Sequence, residues 1–136
     1  MRTLPLSITL AASLMLMLLF LSCKDDNPVD GGSPSNVVFP TSNVRYSQHV
    51  QPLFNQACAF VGCHDDGVPQ DQLKLTSWGS VTNFPGVVAP GQPELSTLVI
   101  RIEGTSGPRM PLTGNPLNQN QINGIRTWIV EGAMNN

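Results

Sequence analysis

Apolar residues recur at helical intervals in three segments of the chain. In the first segment they lie at offsets of 0, 4, 7, 8 and 11 residues, which brings them to one face of a helix. These residues are Tyr46, Val50, Leu53, Phe54 and Ala57. Pro52 falls inside the segment. Because proline removes an interior hydrogen bond, we expect it in the first turn of the helix or at a kink.

The second segment, residues 94–103, lies between Pro93, which favours the start of a helix, and Gly104, which favours its end. The sequence therefore predicts a short amphipathic helix here. Its apolar positions are Leu95, Leu98, Val99 and Ile102.

The third segment, residues 118–133, has the clearest helical pattern. Asn118 and Gln121 have the spacing of a capping box, in which each side chain accepts the backbone N–H of the other residue. Gly132 is predicted to lie on the apolar stripe of this helix and to allow a close approach. The other members of the stripe are Ile122, Ile125, Trp128 and Ile129. No alternating run is long enough for a sheet, so the sequence predicts an all-α fold with long loops rich in glycine and proline.

Composition and charge narrow the classes of function. The chain has 136 residues, with 7 Lys and Arg against 9 Asp and Glu. The formal net charge of −2 excludes a polybasic nucleic-acid-binding protein, because such a protein needs many cations to neutralise phosphates. The 12 glycines and 12 prolines leave little aliphatic material for a core. We therefore expect a small domain whose core is completed by something other than side chains.

The N-terminus has the pattern of a secretory signal. Arg2 precedes an uncharged stretch over residues 4–21, which is also just long enough for a membrane-spanning anchor. The boundary favours a lipoprotein, because Phe-Leu-Ser-Cys at residues 20–23 resembles the lipobox of bacterial lipoproteins, in which the cysteine is lipidated. Lys-Asp-Asp at residues 24–26 resembles the surface-export signal of Bacteroidetes lipoproteins.

The chain therefore divides into three predicted parts. These are a lipoprotein signal peptide over residues 1–22, a lipidated Cys23 with a flexible tether over residues 23–43, and a folded domain over residues 44–136. A lipid on Cys23 would attach the domain to a membrane without a spanning helix. We expect the protein in the cell envelope, facing the periplasm or the cell surface.

The two remaining cysteines belong to the sequence Cys58-Ala-Phe-Val-Gly-Cys63-His64. Cys-x-x-Cys-His is the attachment signature of c-type haem, and here four residues separate the cysteines instead of two. Two thiols add across the two vinyl groups of one haem, so they must lie close together at the porphyrin edge. The histidine that follows the second thiol then falls beneath the ring, where it can bind iron.

Three other interpretations of the cysteines remain open on the motif alone. A disulfide between Cys58 and Cys63 is sterically possible and suits an exported protein, although it leaves His64 unexplained. A zinc site would need both cysteines with His64 and His49, but two adjacent residues do not readily reach one tetrahedral metal. A redox pair of the thioredoxin type needs a Cys-x-x-Cys spacing beside a strand–helix unit, and the sequence shows neither that spacing nor that unit.

A second axial ligand for a haem iron is also predicted. Met110 lies in the loop Gly-Pro-Arg-Met-Pro at residues 107–111, where the prolines on either side restrict the position of its sulfur. A methionine thioether raises the potential of a c-type iron into the range of electron carriers. Met134, near the C-terminus, and His49, in the first helix, are weaker candidates.

An ordered series of motifs resembles the class I cytochrome c domains that are common in Planctomycetes and Bacteroidetes. The apolar helix before the cysteines is followed by Leu73-Lys-Leu75 and Trp78, and then by a Pro-Gly turn at residues 90–91 ahead of a Ser-x-Leu helix. Met110-Pro111 comes next, and Trp-Ile-x-x-Gly-Ala at residues 128–133 closes the series. The resemblance covers residues 46–133, about two-thirds of the chain.

The resemblance implies one covalently bound haem c. Cys58 and Cys63 would form the thioethers. His64 would bind the iron as the proximal ligand, and Met110 would bind it as the distal ligand.

The resemblance also implies a fold in which the first and last helices cross beside the haem. Leu75 and Trp78 would line the haem pocket. The residues expected at the crossing are Tyr46, Val50 and Phe54 from the first helix and Ile125, Trp128 and Ile129 from the last.

The function that follows is a monohaem cytochrome that carries single electrons between redox partner proteins and is not an enzyme. A haem peroxidase or ligand sensor with an open distal site remains an alternative, as does a non-haem binding lipoprotein stabilised by a disulfide. Asp65 and Asp66 stand beside His64, but a pair of carboxylates in a glycine-flanked loop is expected to be solvated surface, without a catalytic role.

Overall fold

The computed structural model of the protein describes residues 35–136. Regular structure within this range is entirely helical and contains no strand, which confirms the predicted all-α class. Helix α1 spans Gln51–Ala57, α2 spans Trp78–Thr82, α3 spans Thr97–Glu103 and α4 spans Gln119–Val130. A π-helical turn at Tyr46–Val50 leads into α1, and 3-10 turns lie at Gln70–Gln72 and Pro93–Leu95.

The predicted signal peptide, the predicted lipidation site Cys23 and the first part of the predicted tether lie outside the described residues. Within residues 35–136, no helix has both the length and the apolar character needed to cross a membrane.

The first predicted helix is present, but its winding changes just before Pro52. Pro52 occupies the first turn of α1, as its missing N–H requires. In the turn ahead of it, the N–H of Gln51 donates to the carbonyl of Tyr46, five residues earlier, which is the spacing of a π-helix. Pro52 has no N–H to donate to a carbonyl of the preceding turn. The π-helical turn at Tyr46–Val50 therefore joins α1 without a backbone hydrogen bond from Pro52.

The second predicted helix is shorter than expected, because its first residues form a separate 3-10 turn. Ser96 lies between this turn and α3 in an extended conformation and is fully buried. Its hydroxyl donates to the carbonyl of Gln92 and accepts the N–H of Ala89, so the side chain competes with helical backbone bonds. Leu95, predicted to lie on the apolar face, is consequently 65% exposed. Gly104 ends α3 in the left-handed conformation, as predicted.

The last predicted helix is confirmed at its start and is shorter at its end. Both hydrogen bonds of the capping box between Asn118 and Gln121 are present. Helix α4 ends at Val130, so Gly132 lies beyond it in an exposed turn, with a φ of +97°. The prediction that Gly132 serves a close approach within the helical stripe is therefore wrong. The close approach occurs at Gly124.

Gly124 lies against the ring of Phe39, and a Cβ at this position would overlap that ring. We therefore expect Gly124→Ala to lower the free energy of unfolding by about 1–3 kcal/mol, because an added methyl forces a buried neighbour to shift. Gly79→Ala in α2 is the matched control, since a Cβ there meets Asn83 at an ordinary 3.7 Å. Urea unfolding measures both, and a stabilised Gly124→Ala protein would contradict this packing.

The first and last helices pack against each other in antiparallel directions. The rings of Tyr46 and Trp128 lie 5.5 Å apart between centroids and are tilted by 41°, which confirms the predicted contact between these helices. At the other end of the pair, Ser35 bonds to both Gln56 of α1 and Gln121 of α4. All six residues expected at the crossing are buried in one core cluster: Tyr46, Val50, Phe54, Ile125, Trp128 and Ile129.

Residues 35–43 were assigned to the tether by sequence, whereas the structure packs them against α4. Phe39 is 3% exposed, and its backbone exchanges two hydrogen bonds with the side-chain amide of Asn120. The side chain of Glu131 accepts the N–H groups of Asn43 and Val44. The segment has few apolar residues, and side-chain amides of α4, distant in sequence, hold it in place. The local sequence therefore gives little indication that residues 35–43 pack against the domain.

Candidate functional site

The two cysteines and His64 lie on one closed loop at the C-terminal end of α1, which we call the Cys-His loop (residues 58–64). The N–H of Cys58 donates to the carbonyl of Phe54 and so continues the last turn of α1. The loop then folds back, because the N–H of His64 donates to the carbonyl of Cys58 at 3.2 Å. Gly62 takes a φ of +80° within the turn, a conformation that favours glycine. The four residues between the cysteines therefore form a compact loop.

Both thiols of the Cys-His loop are free and half-buried. Burial, together with a smaller contribution from the neighbouring Cys63 thiol, raises the pKa of the Cys58 thiol to about 12. Cysteines of thioredoxin-type redox pairs have the opposite property, a lowered thiol pKa that makes them nucleophilic thiolates at neutral pH. The environment of Cys58 therefore disfavours a dithiol redox pair.

His64 is oriented by a hydrogen bond from its ring to the backbone. Its Nδ1 lies 3.0 Å from the carbonyl oxygen of Leu73. A carbonyl oxygen only accepts, so Nδ1 must carry the proton, and the neutral ring then presents an unprotonated Nε2. This is the arrangement that metal-binding histidines use, in which one nitrogen donates to a fixed acceptor and the other binds the metal. Two backbone bonds hold the surrounding chain, from Leu75 N–H to His64 and from Gln70 N–H to Cys63.

Leu75 and Trp78, the two residues predicted to line the haem pocket, follow the Cys-His loop in the chain. Leu75 is buried, at 3% exposure, and its backbone bonds to His64. Trp78 begins α2, is half-buried, and donates its indole N–H to the carbonyl of Ala133 at 2.8 Å. The sequence reasoning did not predict α2. Its signal was Ser77 with Ser80 three residues later, and both bonds of this capping box are present.

Met110 belongs to a second group of contacts, on the C-terminal end of α3. Its N–H donates to the carbonyl of Arg101 at 2.8 Å, and the Nε of Arg109 donates to the carbonyl of Ile102 at 3.2 Å. These bonds attach the methionine loop to a helix, as a ligand aimed at one position requires. Met110 itself is half-buried. Its approach to His64 stays a prediction.

His49 lies away from the Cys-His loop. It stands in the turn at the N-terminal side of α1, where its Nδ1 bonds to the backbone of Arg45 and its ring lies 5.8 Å from that of Phe39. The zinc interpretation needs His49 beside the cysteines. Nowhere in residues 35–136 do three or more His, Cys, Asp and Glu side chains form a group that could hold a metal ion. The proposed axial ligands are one histidine and one methionine, so haem binding does not require a cluster of three His, Cys, Asp or Glu side chains.

The two carboxylates after His64 have different surroundings. Asp66 is exposed, accepts the hydroxyl of Thr76 at 2.8 Å and lies 3.7 Å from the ammonium of Lys74. Asp65 is half-buried, and its Oδ1 is buried without a hydrogen-bond donor among the described residues. The expectation of two solvated carboxylates is therefore correct for Asp66 and wrong for Asp65, whose Oδ1 is buried.

The side chains around the Cys-His loop suit an apolar ring with an iron at its centre. The two cysteines and His64 are half-buried there, and Leu73 and Trp78 are partly buried hydrophobic residues packed against the core. Two surface grooves, of about 660 and 640 Å³, are lined by other parts of the described chain, chiefly α4 and residues 40–45. No protein-family model, curated protein or solved structure matches the chain.

Proposed function

We propose that this protein is a monohaem c-type cytochrome that carries one electron at a time and is attached to a membrane through a lipid on Cys23. The observation that carries the proposal is the orientation of His64. Its Nδ1 donates to the carbonyl of Leu73, which leaves Nε2 as the ring nitrogen free of the proton, on a loop that also bears two free thiols. A disulfide or a dithiol redox pair gives no role to this histidine, and a zinc site would also need His49, which bonds to Arg45 and packs on Phe39 instead.

The Cys-His loop supports the covalent part of the proposal. Cys58 and Cys63 would each form one thioether to the same haem, and His64 would be its proximal iron ligand. The hydrogen bond from His64 N–H to the Cys58 carbonyl holds the first thiol and the histidine in one turn of chain, despite the four intervening residues. The wider spacing therefore still leaves the backbones of Cys58 and His64 in hydrogen-bond contact.

The surrounding chain supports an electron carrier. The haem iron supplies a one-electron ferric–ferrous couple, and the protein tunes it through the axial ligands and burial. The Nδ1–H of His64, held by the Leu73 carbonyl, makes the ring a stronger donor through Nε2. Met110, held on α3, would offer its thioether on the other side, and Leu75 and Trp78 would exclude water from the pocket.

The contact between the first and last helices supports the proposed cytochrome c-like arrangement. Tyr46 packs on Trp128, and the Cys-His loop follows directly from the end of α1. An all-α chain of this kind, rich in glycine and proline, would complete its core with a porphyrin. The proposed location is the cell envelope, and the proposed partners are redox proteins.

The proposal predicts the mass of the protein after export. Purified from a periplasm that attaches haem, the denatured chain should be heavier than its sequence by one haem, because thioethers survive unfolding. If the protein is instead a binding lipoprotein with a disulfide, its mass should be lower than that of its sequence by two hydrogens. Intact mass spectrometry after acid denaturation measures the difference, and a chain two hydrogens lighter with no added mass would contradict the proposal.

A haem peroxidase or ligand sensor differs from the proposed carrier at the distal site. It would leave one axial position of the iron open, and exogenous cyanide or carbon monoxide would bind quickly. The attachment of the Met110 loop to α3 favours the carrier, because two hydrogen bonds to carbonyls of α3 restrict the backbone that carries the thioether. Slow or absent binding of these ligands is the expected result.

A further inference from the structure

The Cys-His loop exposes two adjacent apolar side chains that haem attachment does not require. Phe60 is 50% exposed and Val61 is 92% exposed. Attachment needs only the cysteines and the histidine, so the residues between them could be polar. Single exposed apolar residues are common on protein surfaces, whereas two adjacent ones on the same loop favour contact with an apolar partner.

The N-terminal chain enters the domain at the same end of the molecule. The hydroxyl of Ser35 donates to Oε1 of Gln56 at 3.3 Å, and the N–H of Asn36 lies 3.4 Å from the same oxygen. Gln56 is the penultimate residue of α1, four residues before Phe60. The carbonyl of Ser35 also accepts the amide of Gln121, near the start of α4. The chain that comes from Cys23 therefore reaches the domain beside the Cys-His loop.

The length of this connection limits where the membrane can lie. Twelve residue steps separate Cys23 from Ser35. A polypeptide of this length spans at most about 40 Å, whatever its conformation. A lipid on Cys23 would thus keep the bilayer within about 40 Å of the end of the domain where Ser35 meets Gln56. The opposite end, at Val130 and Met134, lies farther away by the length of α4, about 18 Å, so the tether reaches the end at Ser35 with less extension.

We propose that Phe60 and Val61 dock into the surface of the bilayer that holds Cys23. This inference rests on the lipid anchor of the proposed function. Apolar side chains gain free energy when they enter the interfacial region of a membrane. The anchor also raises the effective concentration of the loop at that surface, so a small insertion suffices. Docking would set the orientation of the domain, with the Cys-His loop turned to the membrane.

The charges around the loop select the lipid. Asp65 and Asp66 follow the loop directly, and within residues 35–136 the ion pair at these two carboxylates is that of Asp66 with the Lys74 ammonium, at 3.7 Å. Anionic headgroups would be repelled by these carboxylates. The surface that fits is therefore zwitterionic, and phosphatidylcholine vesicles are the appropriate probe.

The test uses the acylated, haem-loaded full chain on phosphatidylcholine vesicles, followed by hydrogen–deuterium exchange and mass spectrometry. The reference is the same protein released from the vesicles by cleavage within residues 24–34. Amide exchange across residues 58–64 should be roughly tenfold slower on the vesicles, because docking closes the loop to solvent. The double variant Phe60→Ser/Val61→Ser should lose this protection. Val61→Ser alone, at a side chain that is 92% exposed, should lose part of it without disturbing the fold.

Val130→Ser/Met134→Ser is the matched control, because both side chains are apolar and exposed, at 59% and 58%, but lie at the opposite end of α4. It should keep the protection of the loop. Docking is contradicted if the anchored, haem-loaded protein shows no protection at residues 58–64, or if the protection survives Phe60→Ser/Val61→Ser. Protection that persists in the released protein and grows with its concentration would instead indicate a second copy.

The failure of docking and the failure of the proposed function can be told apart. Loss of haem absorbance overturns the cytochrome assignment, whatever the exchange pattern. A Cys23 without acyl chains by mass spectrometry overturns docking and the anchor together, while the haem assignment keeps its own spectrum. An acylated, coloured protein with an unprotected loop overturns docking alone.

Discussion

Replacing Cys63 with alanine is expected to leave the exported protein with only a small part of its haem. The variant retains one thiol, at Cys58, and can form at most one thioether. That thiol is half-buried, and because burial raises its pKa it is a weak nucleophile. Absorbance of the purified protein and haem staining after denaturing electrophoresis measure the retained cofactor per chain.

Val61→Ala is the matched control for this experiment. It changes a residue between the same two cysteines, but the side chain is 92% exposed and takes no part in attachment. It should load haem as the unchanged chain does. Full covalent loading of the Cys63→Ala protein would contradict the assignment of both cysteines.

Replacing Met110 with alanine is expected to keep the haem and lower its reduction potential. A thioether stabilises ferrous over ferric iron, and its loss favours the ferric state. For a one-electron couple, each tenfold change in this preference shifts the potential by about 59 mV. Spectroelectrochemical titration measures the shift, and faster binding of carbon monoxide should accompany it because the distal position opens.

Met134→Ala tests whether the effect is specific to the ligand. Met134 is 58% exposed, and the contribution it makes to the fold is its backbone carbonyl, which accepts the indole N–H of Trp128. An alanine keeps that carbonyl, so the potential should stay unchanged. Equal potentials for the Met110→Ala protein and the unchanged chain would contradict ligation by Met110.

The helices that could be predicted are those whose signals are local. The spacing from Tyr46 to Ala57 and the Asn118–Gln121 capping box both depend on residues within one helix, and both are confirmed. The late start of α3 could not be read in this way, because Ser96 ends the preceding turn with hydrogen bonds to residues up to seven positions away. A helical period alone does not reveal that competition.

Long-range contacts explain the other differences. Gly124, not Gly132, is the position of close approach, because Phe39 packs on it from a segment 85 residues earlier in the chain. The anchoring of residues 35–43 likewise depends on side chains of α4, such as Asn120. Neither partner marks the other in the sequence, so these contacts appear only when the fold is known.

The candidate site could be predicted in its members but not in its orientation. The order of Cys58, Cys63 and His64 is a local motif, and the structure holds these residues on one loop. The bond from His64 Nδ1 to the Leu73 carbonyl joins residues nine positions apart across an irregular loop. No residue type signals it, because any residue at position 73 would supply the same carbonyl. The tautomer of the proposed iron ligand therefore follows only from the geometry.

The central claim is that one haem is bound covalently through the Cys-His loop, and an absorption spectrum tests it most directly. The protein should be exported in a host that attaches haem, purified, and measured before and after reduction with dithionite. The account predicts an intense Soret band that sharpens and shifts on reduction, with the colour remaining on the denatured polypeptide. A colourless protein obtained from cells that load a control cytochrome c would contradict it.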